Sequence, residues 1–317
     1  MSLIEKAVER LGQLKQAGQD APVITPASVP VEPVEPVEPV KPVVEAVPLQ
    51  ERSRVEIHAP EAEPVSREVN IDLDRLAHMG FVTPDQQRTS ISEEYRVIKR
   101  PLLRNASSMR GTSRVAKGNL IMVTSALPGE GKSFTALNLA MSMAMELDHS
   151  VLLVDADVSK PSILKQMGLP QERGLMDVLV DGTLDLPDVI LRTNIEKLRI
   201  LPAGTATQRA TELLASEGMN RLLDEMASRY SDRIIIFDSP PLLVTTESRV
   251  LATHMGQIVV VVEAERTTHA ALKQALATIE ACPIKMMLLN KSTVQGPGGY
   301  YGYGYGYGQE PEDDKAA

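Results

Sequence analysis

The chain has 317 residues, of which 43% are hydrophobic but only 3% aromatic, and it carries a formal net charge of -9 from 33 basic and 42 acidic side chains. That is enough for one α/β domain of ordinary size plus unstructured sequence, and the acidic balance argues against nucleic acid as the main partner. The single cysteine, Cys282, rules out an intramolecular disulfide framework and fits a reducing compartment.

Residues 1–20 lack the continuous apolar stretch of a secretory signal, and Ile4, Val8, Leu11 and Leu14 recur at helical spacing, which predicts a short amphipathic helix. No apolar run approaches the ~20 residues that span a bilayer, so the chain is expected to be cytoplasmic and to reach a membrane only through a partner. Residues 21–66 are proline-rich and contain the repeat VEP-VEP-VEP-VKP. Proline at every third position suits a polyproline II spacer, with a proline-recognition ligand as the alternative.

Residues 67–118 form the next segment. Within it, residues 91–105 read as a helix that stops at Pro101, with Ser90 or Ser92 as N-cap and Glu93 and Glu94 in the first turn. Glu93, Arg96 and Lys99 fall three apart and are expected to share one charged face. Residues 119–293 then alternate short β-rich apolar runs (119–126, 150–157, 198–204, 233–239, 257–264 and 284–290) with amphipathic helices near 132–147, 212–229 and 268–280. This texture predicts an α/β domain whose mainly parallel sheet is flanked by helices and buried on both faces. Such sheets bind ligands beyond the carboxyl ends of their strands.

Three motifs fall at those ends. The first, Ala126-Leu-Pro-Gly-Glu-Gly-Lys-Ser133, follows a strand and opens a helix, as a phosphate-binding loop requires. Its backbone N–H groups and the helix N-terminus suit phosphate oxygens, Lys132 suits the β- and γ-phosphates of ATP, and the Ser133 hydroxyl suits Mg²⁺. The nucleotide-binding set is Pro128, Gly129, Glu130, Gly131, Lys132, Ser133 and Phe134, with Asn290 at the end of the last strand. The second motif is an apolar strand ending in Asp155-Ala-Asp157, and the third ends in Asp238-Ser-Pro-Pro. Asp157 and Asp238 join Ser133 as candidates for holding Mg²⁺ directly or through water. After residue 293 comes a glycine-alternating tail, residues 294–317, which carries Tyr300, Tyr301, Tyr303, Tyr305 and Tyr307 and ends in an acidic stretch. Glycine alternation precludes a packed core and leaves the phenols on a flexible tether.

From about Ile91 to the tail, the sequence closely resembles the bacterial tyrosine kinases known as BY-kinases, particularly the stand-alone CpsD/CapB type and the autokinases encoded with exosortase-linked exopolysaccharide systems. PGEGKS, the strand followed by DxD, DSPP and the C-terminal tyrosine cluster all match that family. The resemblance implies a P-loop kinase that uses ATP and Mg²⁺ to phosphorylate the tail of a neighbouring subunit in a ring-like homo-oligomer. It implies a transmembrane polysaccharide co-polymerase adaptor and a cognate tyrosine phosphatase as partners, and Glu93, Arg96 and Lys99 as the self-association motif, with lysine in place of the family's last arginine. Catalytic roles fall to Lys132, Asp155 and Asp157, with Asp155 receiving or orienting the phenolic proton. At Ser159 the family commonly has arginine, and Lys160 is the available positive charge. The rival reading is a partitioning ATPase of the same superfamily, which typically carries a signature lysine where this chain has Leu127.

Overall fold

A computed structural model describes residues 67–86, 88–106, 115–229 and 233–293. The predicted helix over 1–20, the linker over 21–66 and the tyrosine tail over 294–317 lie outside these residues.

The strands are β1 (Glu68–Val69), β2 (Leu120–Ser125), β3 (Ser150–Asp155), β4 (Leu191–Thr193), β5 (Leu198–Leu201), β6 (Arg233–Asp238), β7 (Gln257–Glu263) and β8 (Ile284–Asn290). They form one sheet in the order β1-β4-β5-β3-β6-β2-β7-β8, parallel at every pairing except β4 with β5. The pleat divides the apolar runs between two cores. Ile121, Val123, Val151, Leu153, Ile234, Ile236, Val259 and Val261 face one, and Leu120, Met122, Leu152, Val154, Ile235, Phe237, Ile258 and Val260 face the other. Burial on both faces is why these strands read as continuous apolar runs.

The helices are α1 (Leu73–His78), α2 (Ser90–Ala106), α3 (Lys132–Ala144), α4 (Ile163–Met167), α5 (Leu175–Val180), α6 (Leu186–Val189), α7 (Ala210–Leu214), α8 (Glu217–Arg229), α9 (Glu247–Ala252) and α10 (His269–Ala277). On the first face α2 packs against α3, while α8 and α10 cover the second. Two expectations are corrected. Helix α2 does not stop at Pro101 but runs five residues further. Pro101 is exposed, as is Val97, whose carbonyl loses its helical partner and can be met by water, while the buried Leu102, Leu103 and Ala106 hold the last turn in the core. The helix expected over 212–229 is two helices, because the Ser216 side chain accepts from the Met219 N–H (3.2 Å) and starts α8 afresh.

The third correction concerns the charged stripe. At about 100° per residue, positions six apart are rotated by about 120° around a helix, so Lys99 leaves the face of Glu93. It is 3% exposed and turned inward, where Nζ donates to the Ser142 carbonyl (2.5 Å) and pairs with Glu146 (2.8 Å) at the far end of α3. Glu93 and Arg96 pair with each other on the outside.

Candidate active site

In the sheet order β6 lies between β3 and β2, so the loops that follow these three strands meet at one edge. Asp238, the last residue of β6, is in register with Asp155 on one side and Val123 on the other. The three motifs, more than 100 positions apart in sequence at their extremes, thus become a single site.

The loop after β2 is shaped by glycine where side chains cannot go. Gly131 has φ +99°, and a Cβ there would collide with the Asn290 amide. Gly131 is the N-cap of α3, so the unpaired N–H groups of the helix's first turn open onto the site. Lys132 spans the pole: Nζ lies 2.7 Å from Asp157 Oδ2 and 3.7 Å from Asp238 Oδ1, with Ser133 Oγ at 3.3 Å. Burial works against its charge, but Asp238, Asp157 and Asp155 together hold its pKa above the usual lysine value. Asp238 is fully buried, and burial raises its pKa to about 6 despite the opposing pull of Lys132 and the Ser133 hydroxyl. Burial and the neighbouring Asp238 push Asp155 up to about 7, even though it accepts backbone N–H bonds from Ile163 (3.0 Å) and Ser162 (2.9 Å).

Both carboxylate oxygens of Asp238 and Oδ1 of Asp155 are buried without a hydrogen bond inside the described residues. Orphaned acceptors of this kind are costly unless a cation or its waters complete them. No group of three or more His, Cys, Asp or Glu able to hold a metal by itself occurs among the described residues. The donor set fits a hydrated Mg²⁺ that takes one hydroxyl, carboxylates and phosphate oxygens, as this hard cation prefers.

A cavity of about 260 Å³ opens beside these groups, lined by Pro128, Gly129, Lys132, Ser133 and Asp157 on the loop side. Ser159 and Lys160 border it too, and both are exposed. Asp155 does not line this cavity. One of its oxygens is committed to the start of α4, whereas Asp157 does line the cavity, with its Oδ1 held by the Lys160 N–H at 3.1 Å.

The side chains of three other residues in the nucleotide-binding set make contacts outside the cavity. The Glu130 carboxylate is buried and points away from the cavity, accepting from the Leu127 N–H (2.7 Å) and the Thr267 hydroxyl. Phe134 packs on Phe81, with ring centroids 4.9 Å apart, so its side chain anchors the helix. Asn290 Nδ2 donates to the Glu130 carbonyl at 2.9 Å and touches the loop from behind.

Sequence reasoning missed a latch around the loop. Lys291, in the left-handed region at φ +58°, donates from Nζ to the Gly129 carbonyl (2.7 Å) and pairs with Glu263 (3.2 Å). The Thr267 hydroxyl both donates to Glu130 and accepts from the Glu263 N–H (3.1 Å), which closes the circuit. With the Gly129 and Glu130 carbonyls held outward, the N–H groups across the same peptide planes, those of Glu130 and Gly131, can turn inward toward an anion. The only sequence signal was the adjacency of Asn290 and Lys291 at a strand end.

Residues 118–292 match a protein family described as an AAA domain. The chain is 31% identical over 215 residues to the tyrosine-protein kinase YwqD of Bacillus subtilis (strain 168), covering 67% of this chain and 86% of that one. It is 27% identical to the putative tyrosine-protein kinase CapB of Staphylococcus aureus, over 68% of this chain and 91% of that one. Among solved structures, the kinase domain of the Escherichia coli tyrosine kinase ETK superposes with a TM-score of 0.60 at 25% identity, covering 76% of this chain and 88% of that one.

Proposed function

The chain belongs to the bacterial protein-tyrosine kinase family, and from that premise we propose that it transfers the γ-phosphoryl group of ATP to Tyr300, Tyr301, Tyr303, Tyr305 and Tyr307 of a neighbouring copy. The observation that carries this reading is the Lys132, Asp157 and Asp238 cluster at the mouth of a glycine-shaped anion loop, in a chain that also bears five tethered phenols.

In this reading the Lys132–Asp157 pair is a resting contact. Nucleotide phosphates draw Lys132 to the β- and γ-oxygens and thereby free Asp157 Oδ2. Ser133 and Asp238 would hold Mg²⁺, with Asp157 reaching it only through water, and the ion would neutralise the developing phosphate charge. The phenolic oxygen forms a bond to the γ-phosphorus as the bond to the β-bridging oxygen breaks. ADP leaves, and the phenolic proton passes to the Asp157 carboxylate. Alignment and electrostatics do most of the work, since a phenol of pKa about 10 is a weak nucleophile at neutral pH. Tyr95 is no acceptor: it is buried between α2 and α3, and burial pushes its phenol up to about 12.

Purified chain incubated with ATP and Mg²⁺ should gain phosphotyrosine, and Lys132→Met should not. ATP hydrolysis without phosphotyrosine would instead support a partitioning-type ATPase.

No helix among the described residues is long and apolar enough to cross a membrane. We propose a cytoplasmic enzyme held at the inner face of the plasma membrane by a polysaccharide co-polymerase adaptor, reset by a tyrosine phosphatase, and governing exopolysaccharide polymerisation. Self-association in a ring would use Glu93 and Arg96. Each phosphate adds roughly -1.5 to -2 charges to the tail, and several together loosen the ring. Equal sedimentation of phosphorylated and dephosphorylated protein would contradict that cycle.

A further inference from the structure

The polar floor of the cavity is accounted for by phosphate chemistry, but its outer wall is not. Pro240 and Pro241, both largely buried, and the exposed Val244 line that side. Val244 is 58% exposed, and Leu127 is 39% exposed on the loop next to it, where the Leu243 N–H donates to the Ala126 carbonyl at 3.3 Å. Nucleotide phosphates and a hydrated cation gain nothing from branched aliphatic groups beside them, whereas an aromatic ring does.

This wall is preformed. The Pro240 carbonyl accepts from the Thr124 hydroxyl (2.8 Å), and the Pro241 carbonyl accepts from the Val244 N–H (3.3 Å) and the Ser248 hydroxyl (3.3 Å). Two consecutive prolines further fix the backbone that presents Val244. A rigid apolar lip over a polar floor matches a side chain with a flat apolar body and a hydroxyl at its tip.

The tail outside the described residues has that chemistry. It carries five phenols within the eight residues from Tyr300 to Tyr307. Tyr301, Tyr303, Tyr305 and Tyr307 are each flanked by glycine on at least one side, so no bulky neighbour would strike the lip as a ring enters. Beyond them Glu310, Glu312, Asp313 and Asp314 complement the exposed Lys160 at the cavity's edge.

We propose that Pro240, Pro241 and Val244 form an acceptor subsite that receives a tyrosine ring from the tail of a second copy and makes the kinase select phenols over aliphatic alcohols. This rests on the kinase reading above. The test uses full-length chains, with Lys132→Met protein as acceptor and wild type, Val244→Asp or Val244→Ile as donor. Val244→Asp should raise the KM for acceptor about tenfold while leaving the KM for ATP unchanged, and Val244→Ile should restore wild-type values. All three donors should melt together, since the position is on the surface.

A second arm adds Lys132→Met chains in which the five tail tyrosines are all Phe or all Ser. The Phe tail should compete with the acceptor, and the Ser tail should compete about tenfold less well. An unchanged acceptor KM for Val244→Asp, an equal rise in the KM for ATP, or equal competition by the Ser tail would each overturn the subsite. If wild type itself made no phosphotyrosine, the kinase reading would fall and this inference with it.

Discussion

Each end of helix α3 meets a lysine, half-buried Lys132 of its own first turn and buried Lys99 docked from α2, and the two are used in opposite ways. At the N-terminal end Lys132 sits among three carboxylates, two of which retain oxygens without a hydrogen bond. At the other end Lys99 is held by the Ser142 carbonyl and Glu146, with Arg100 also reaching Glu146 at 3.3 Å. A cation beside the last carbonyls of a helix also meets its negative pole. The incomplete cluster is built to be completed by a ligand, and the complete one joins α2 to the helix that carries the phosphate loop.

Removing each lysine in turn would break this contrast most sharply. Lys132→Met should lower tail phosphorylation by about 10²–10³-fold, because it removes charge stabilisation from the transfer step. Lys99→Ala should leave that step in place and act on stability. Burial opposes ionisation of Glu146, but Lys99 and then Arg100 hold its pKa below the usual carboxylate range, and losing Lys99 should cost about 3 kcal/mol in urea unfolding. If Lys99→Ala unfolds like wild type but sediments differently, the residue is an oligomer contact after all.

Lys291→Ala probes the latch behind the phosphate loop. It should raise the KM for ATP about tenfold with little change in kcat, and Lys291→Arg should recover part of the loss. A fall in kcat at constant KM would contradict the latch.

The smallest expected effect is a pH dependence confined to the incomplete pole. Asp155 and Asp238 have folded pKa values of about 7 and about 6, raised from 3.8. The folded state therefore holds protons that the unfolded chain has already released, and stability falls as pH rises from about 4 through about 7. The melting temperature of the nucleotide-free protein should drop over that window. Mg²⁺ and nucleotide should close the gap by completing the orphaned oxygens. A melting temperature that stays level or rises from about pH 4 to about 7 in nucleotide-free protein would contradict the assignment.

The incomplete pole was far more legible in the sequence than the complete one. Loops after parallel strands converge wherever the strands are neighbours, so PGEGKS, Asp157 and Asp238 could be joined from strand ends alone. Lys99 could not be placed in the same way: its partner Glu146 is 47 positions away, and a three-residue spacing on a helix only mimics a shared face. The same distance in sequence concealed the Glu130–Thr267 bond and the Lys291–Gly129 bond, which join residues 137 and 162 positions apart. Pro101 misled because packing of Leu102 and Leu103 outweighs one lost backbone bond.

The central claim is tested most directly by mixing isotope-labelled wild-type donor with unlabelled Lys132→Met acceptor, ATP and Mg²⁺, and mapping phosphate by mass spectrometry. Phosphate on Tyr300, Tyr301, Tyr303, Tyr305 or Tyr307 of unlabelled chains is the predicted result, and unlabelled chains that stay unmodified while ATP is consumed would contradict it.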